Sequence, residues 1–129
     1  MKSSTMAVTV AGLFLATFAP AQADSLHGTW VGKGYVKPVD GERQTVKCRV
    51  NFTPQGSRVV ALTATCSSTT TKIHQTGQLS MVRPDRYVGN FYNPEFDVSG
   101  RIRVSVSGST MSVTFSGDRG HGGLSLSRH

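Results

Sequence analysis

Cys48 and Cys66 are the residues of this 129-residue chain whose type and spacing most directly indicate a chemistry, and they are its only cysteines. A redox-active pair is typically a C-x-x-C motif, and a zinc site needs two further soft ligands at short spacing, so neither chemistry fits. In an exported protein an even number of cysteines favours a disulfide. We therefore predict a structural Cys48–Cys66 bridge, which stabilises such a domain by about 3 kcal/mol in the chain-entropy model.

The other reactive side chains lack the spacing that catalysis requires. Serines are numerous, but none stands in a G-x-S-x-G or S-x-x-K motif. No two carboxylates have a spacing that suggests general acid–base work. Asp118, His121 and His129 indicate at most an adventitious metal site, so we predict no metal site, no cofactor and no enzymatic activity.

The first 23 residues have the order of features of a secretory signal. Lys2 supplies positive charge, residues 6–18 form a short apolar stretch, and Ala21-Gln22-Ala23 precedes the cleavage point. We predict a signal peptide at 1–23, a single domain at 24–129, and a periplasmic or secreted location. No apolar run reaches the length of a membrane helix, so no membrane span is expected after processing.

Alternating apolar and polar residues predict that the exported chain is made of β-strands. From Val46 to Phe52 every second residue is apolar, and residues 101–106 and 111–115 repeat this pattern. A strand turns successive side chains to opposite faces, so the pattern gives one buried and one hydrated face. Turn residues separate eight such segments, which we place at 26–36, 44–53, 59–66, 70–81, 86–92, 96–107, 110–117 and 123–129.

The short connections between these segments predict an antiparallel, up-and-down order. Eight twisted strands can bury one apolar face by closing into a barrel, which also removes the exposed edges of the sheet. We therefore predict an all-β, eight-stranded antiparallel up-and-down barrel, with a two-sheet β-sandwich as the alternative. The disulfide fixes a register in which the second and third strands pair Cys48 with Cys66, Phe52 with Leu62, and Pro54 with Val60.

The segment Leu26-His27-Gly28-Thr29-Trp30 resembles the L-x-G-x-W opening strand of the calycin-like barrels, which include lipocalins, avidins and bacterial metalloprotease inhibitors. This resemblance implies that Trp30 packs across one end of the barrel and that Arg128, from the last strand, covers it. The overall profile is most similar to the exported protease inhibitors. Those inhibitors insert an N-terminal arm into the protease, whereas only two residues precede Leu26 after the expected cleavage.

Charge is the feature that most directly suggests a binding function. The chain has 14 Lys and Arg against 7 Asp and Glu, a formal net charge of +7. We predict one basic patch on the outer face of the first two strands, formed by Lys33, Arg43, Lys47 and Arg49. Such a patch attracts anionic phospholipid, lipopolysaccharide, peptidoglycan or an acidic exported protein, although it also fits a merely solubilising surface. Nucleic acid is not expected, because the basic strands lack interleaved aromatic residues.

A second candidate surface lies at the end of the fifth segment. Aromatic residues occur on both faces of this strand, so at least one of the rings must lie outside the barrel or at its opening. Amphipathic aromatic rings are common in binding surfaces. We predict a binding rim formed by Asn90, Tyr92 and Asn93, with shielding of the neighbouring strands by these rings as the equally weighted alternative. The expected function is a non-enzymatic exported barrel that binds an envelope component or a partner protein through the basic surface or this rim. The alternatives are a calycin-like protease inhibitor and a carrier of a small hydrophobic ligand.

Overall fold

A computed structural model describes residues 26–129, which form a closed barrel of eight antiparallel strands. In chain order the strands are β1 (Gly28–Pro38), β2 (Gln44–Pro54), β3 (Val59–Ser67), β4 (Lys72–Arg83), β5 (Arg86–Asn93), β6 (Val98–Ser107), β7 (Thr110–Gly117) and β8 (Gly120–Arg128). Each strand pairs with the next, and β1 also pairs with β8. The predicted barrel is confirmed, and the β-sandwich alternative is wrong. The predicted signal peptide lies outside the described residues.

The register of β2 and β3 is the one that the cysteines predicted. The two strands pair Cys48 with Cys66, Phe52 with Leu62, and Pro54 with Val60. The two sulfur atoms are bonded, and the Cα atoms of the cysteines are 4.1 Å apart. The disulfide is therefore confirmed, and it joins directly opposite residues of neighbouring strands.

The C-terminal hairpin differs from the sequence prediction. β8 begins at Gly120 instead of at residue 123. The glycine-rich segment 117–123 is therefore mostly strand, and the turn between β7 and β8 consists only of Asp118 and Arg119. Gly122 is buried under the ring of Phe115, and a Cβ atom at this position would collide with that ring. These glycines therefore allow a close approach between side chain and backbone, which is why a composition typical of a loop forms a strand.

One apolar core fills the barrel, and its best-buried part lies at one end. We call the end that carries the turns after β2, β4 and β6 the floor, and the opposite end the mouth. The largest fully buried side chains all belong to the floor half: Trp30, Tyr87, Leu26, Leu79, Leu126 and Val60. Within residues 26–129, no helix is long and apolar enough to cross a membrane.

Candidate functional site

Trp30 and Arg128 meet at the floor of the barrel. They are direct partners of β1 and β8, and the Arg128 guanidinium lies 4.4 Å from the centre of the Trp30 ring. The indole Nε1 of Trp30 donates a hydrogen bond of 3.1 Å to the Leu26 carbonyl, and Arg128 donates one of 2.7 Å to the His27 carbonyl. The side chain of Trp30 is fully buried. Within residues 26–129, these contacts close the floor of the barrel.

The interior of the barrel is largely filled. Its cavity has a volume of about 50 Å³ and an apolar lining, which towards the mouth includes Val36, Ala64, Cys66, Ile73 and Phe115. Pockets that enclose small organic ligands usually measure roughly 300–1,000 Å³. The cavity is therefore too small to enclose a ligand of that size without movement of the surrounding side chains.

The first basic surface lies on the outer face of β1 and β2, and we call it the β1–β2 wall. Lys33 lies directly opposite Lys47, and Arg49 follows Lys47 on the same face of β2. All three side chains are exposed. Arg43, just before β2, stacks its guanidinium 3.7 Å from the centre of the Tyr35 ring. Because like charges directly opposite each other destabilise a sheet, the Lys33–Lys47 pair does not serve strand pairing.

A second basic surface, which the sequence analysis did not predict as a patch, lies on β5 and β6 and is here called the β5–β6 wall. Arg86 lies opposite Ser105, and Arg103 lies between Val88 of β5 and Thr114 of β7. A groove of about 330 Å³ runs along this wall and is lined by, among others, Arg83, Arg86, Arg103, Ser105, Ser112 and Thr114. The pattern Arg101-Ile102-Arg103-Val104 was the available signal, since it places both arginines on the hydrated face of one strand.

The carboxylates of the described residues lie outside the strands that form these two walls. All of them lie in turns: Asp40, Glu42, Asp85, Glu95, Asp97 and Asp118. Every one except Asp85 is in a turn at the mouth. The eight strands of residues 26–129 therefore carry lysine and arginine but no aspartate or glutamate, and the acidic residues next to the two walls are Glu42, before Arg43, and Asp85, before Arg86.

The three residues of the predicted rim do not share one surface. Asn90 and Tyr92 are exposed on the outer face of β5, whereas Asn93 points inward and is 2% exposed. The Oδ1 atom of Asn93 accepts a hydrogen bond of 3.1 Å from the backbone N–H of Phe96. The hydroxyl of Tyr92 lies 3.5 Å from Oδ1 of Asp97. Asn93 thus fixes the turn after β5, and the exposed pair adjoins the β5–β6 wall.

Two of the four histidines, His74 and His121, take part in surface contacts. The His121 ring meets the edge of the Tyr35 ring at a centroid distance of 5.8 Å, and Nδ1 of His74 lies 3.2 Å from the Thr65 hydroxyl oxygen. Among residues 26–129, no group of three or more His, Cys, Asp or Glu side chains is arranged to hold a metal ion. The arginine- and lysine-rich walls are therefore the surfaces with the clearest binding chemistry.

Comparison with known proteins identifies the architecture. No protein-family model matches the chain, and no curated protein matches it. Among solved structures, a redesigned β-barrel, mFAP1 bound to DFHBI, shares 18% identity at a TM-score of 0.70 and covers 84% of this chain and 100% of its own. A fluorescence-activating β-barrel designed de novo has 16% identity and a TM-score of 0.65, with coverages of 86% and 100%.

A natural protein has the same architecture. The crystal structure of Rv2717c from M. tuberculosis shares 16% identity at a TM-score of 0.59, over 88% of this chain and 99% of its own. At such low identity these likenesses establish the fold alone. The chain is an eight-stranded closed β-barrel, an architecture that fits the calycin-like resemblance of its opening strand.

Proposed function

We propose that this protein is a non-enzymatic exported β-barrel that binds the phosphate groups of anionic envelope lipids through its β1–β2 wall. The observation that carries the proposal is the placement of Lys33 opposite Lys47, beside Arg49, on strands without a carboxylate. Two lysines held together without an acidic partner repel each other, and a shared anion removes that repulsion. Phospholipid and lipopolysaccharide both offer phosphate at high surface density.

Lipid is favoured over peptidoglycan or a partner protein for two reasons. Lipid headgroups move laterally, so they can adapt to the spacing of the cations on a convex wall. The same outer face carries Tyr35, and amphipathic tyrosine rings suit the boundary between water and lipid. Each lysine or arginine near an anionic membrane contributes about 1 kcal/mol, and this contribution is screened by salt.

The two alternative functions have less support from the geometry. A carrier of a hydrophobic ligand needs an interior larger than the cavity of about 50 Å³. Kinship with the calycin-like protease inhibitors is a further proposal, supported by the stacking of Arg128 on Trp30. The inhibitory arm would precede Leu26, outside the described residues. A protease panel tests this role, because inhibition requires a stoichiometric loss of protease activity.

Vesicle binding tests the main proposal. We expect protein purified after export to sediment with phosphatidylglycerol vesicles at low salt, to be released at high salt, and not to bind phosphatidylcholine vesicles. Emission from the buried Trp30 should not change on binding, whereas a shift would favour the carrier. Absence of binding to phosphatidylglycerol, or capture only by peptidoglycan sacculi, would refute lipid binding.

Two variants with the same net charge separate a local site from overall charge. Lys47→Ser with Arg49→Ser removes two positive charges from the β1–β2 wall. Thr76→Glu with Gln78→Glu adds two negative charges on the outer face of β4. We expect the first variant to bind at least about tenfold more weakly at low salt and the second to bind much like the wild type. If both variants weakened vesicle binding equally, binding would depend on the overall charge of the protein and not on the β1–β2 wall, and this result would contradict the proposed site.

A further inference from the structure

The two basic walls lie on opposite sides of the barrel. The strands close into a ring in chain order, and β5–β6 is separated from β1–β2 by β3–β4 on one side and by β7–β8 on the other. The intervening outer faces carry mainly hydroxyl and amide side chains, including Thr63, Thr65, Thr76 and Gln78 on one side and Ser112, Ser116, Ser125 and Ser127 on the other. Lys72 and His74 stand near the mouth on β4. The barrel therefore alternates basic and mostly neutral sectors around its circumference.

The β5–β6 wall has the chemistry of a phosphate site. Its groove combines guanidinium groups with hydroxyls, both of which donate hydrogen bonds to phosphate oxygens. Arginine presents a rigid planar fork that fits two phosphate oxygens at once, which lysine cannot do. The volume of about 330 Å³ is sufficient for a lipid phosphate and part of its headgroup. Arg101 extends the basic surface beyond the groove, towards the exposed Tyr92.

The turns at the mouth carry no clear excess of positive charge that would attract an anionic surface. Asp40, Glu42, Glu95, Asp97 and Asp118 all lie at this end and offset its cations, which include Arg43, Lys72 and Arg119, so the two walls attract a layer of phosphates more strongly than the mouth does. A barrel that lies on its β1–β2 wall therefore directs the β5–β6 wall away from that surface. In this orientation the groove remains open to a second surface.

We propose that the β5–β6 wall is a second phosphate-binding surface, so that one molecule bridges two bilayers of anionic lipid. This inference rests on the proposed function of the β1–β2 wall. Bridging predicts a property that a single basic face lacks: the protein clusters vesicles as well as binding them. Clustering is expected to pass through a maximum as protein is added, because excess protein covers each vesicle separately.

The test compares binding with clustering on phosphatidylglycerol vesicles, using sedimentation for the first and dynamic light scattering for the second. We expect the wild type to do both. Arg86→Ser, Arg101→Ser and Arg103→Ser together should abolish clustering while vesicle binding persists. A control of equal net charge, Thr63→Glu with Thr76→Glu and Gln78→Glu, should still cluster vesicles. Far-UV circular dichroism and Trp30 emission verify that each variant is folded.

The outcomes separate this inference from the proposed function. Wild type that binds vesicles without clustering them overturns the bridging and leaves the proposed function standing. Clustering that persists in the triple arginine variant overturns the second wall, as does complete loss of vesicle binding in that variant. Wild type that binds no anionic vesicle overturns both. Inorganic phosphate added to the clustering assay tests whether the free ion competes with the vesicles for the groove. Inhibition of clustering by a low concentration of phosphate would assign the groove to the free ion instead of to lipid.

Discussion

The two ends of the barrel are closed in different ways. At the floor, Trp30 and Leu26 are fully buried, and Arg128 lies over the indole ring. Towards the mouth, the core contains the small cavity, and apolar residues that line it, such as Ala64 and Phe115, remain partly exposed. The disulfide joins β2 and β3 in this looser half. The floor is thus closed by packing and polar contacts, whereas the mouth half contains the cavity and the disulfide.

This difference bears on what the one disulfide contributes to a barrel of this small size. Packing stabilises a fold only where atoms are in contact, and the lining of a cavity loses those contacts. A disulfide acts chiefly by restricting the unfolded chain, so its effect does not depend on a filled core. The bridge therefore adds stability that does not depend on how tightly the mouth half is packed.

The largest expected effect is the loss of the floor aromatic. Trp30→Ala should lower the free energy of unfolding by about 3–5 kcal/mol, because it creates a cavity and leaves the Leu26 carbonyl without its indole donor. Phe115→Ala, in the looser half, should cost less. Urea unfolding followed by far-UV circular dichroism measures both. An equal or greater loss at Phe115 would contradict the contrast between the two ends.

Removal of the disulfide should have the next largest effect. Cys48→Ala with Cys66→Ala is expected to lower the free energy of unfolding by about 3 kcal/mol, and reduction of the wild type should have a similar effect. Hydrogen exchange should accelerate first at the mouth ends of β3 and β4, where Cys66 pairs with Ile73. If exchange accelerates uniformly over the barrel, the bridge does not act on the mouth half in particular.

Arg128 provides a smaller test of the floor. Arg128→Ala should destabilise the protein by about 1–2 kcal/mol, because the cation–π contact with Trp30 and the hydrogen bond to the His27 carbonyl are both lost. Trp30 emission should shift to the red as water reaches the indole. Arg128→Lys is the control, since it keeps the charge but not the planar group. Unchanged stability and emission in the alanine variant would show that Arg128 does not close the floor.

The smallest expected effect is a gain from filling the cavity. Ala64→Val adds two methyl groups to the cavity lining and should stabilise the protein by about 0.5–1 kcal/mol. Ala61→Val adds the same groups to the outer face of β3 and serves as the matched control. Thermal unfolding of both variants provides the comparison. A lower stability for Ala64→Val than for the control would mean that the mouth half is already fully packed.

Local patterns predicted most of the fold. The alternation in β2, β6 and β7 identified strands and their buried faces, because side chains alternate strictly along an extended chain. The cysteine pair then fixed the register of β2 and β3, since a disulfide tolerates only a narrow range of Cα distances. The glycine-rich start of β8 could not be identified in this way, because its glycines are required by contacts with Phe115 and other residues distant in sequence.

The candidate site was predicted only in part. Lys33, Lys47 and Arg49 could be grouped from the sequence because they lie on consecutive strands of one hairpin. The β5–β6 wall was not predicted as one surface, because its groove combines side chains from four strands, β4 to β7. Which of these side chains are neighbours depends on the pairing register between each strand and the next. The inward orientation of the Asn93 side chain could not be predicted either, because it depends on the hydrogen bond that Asn93 accepts from the Phe96 N–H in the turn after β5.

The number of strands, their inward faces, the disulfide and the excess of basic residues on outward positions could all be inferred from the amino-acid sequence, because each of these follows from local sequence patterns. The residue pairing between β8 and β1, the distance between Arg128 and Trp30, and the placement of two basic walls on opposite sides of the barrel follow only from the three-dimensional fold. These features arise when the sheet closes, and closure depends on the sum of all strand registers instead of on any local segment.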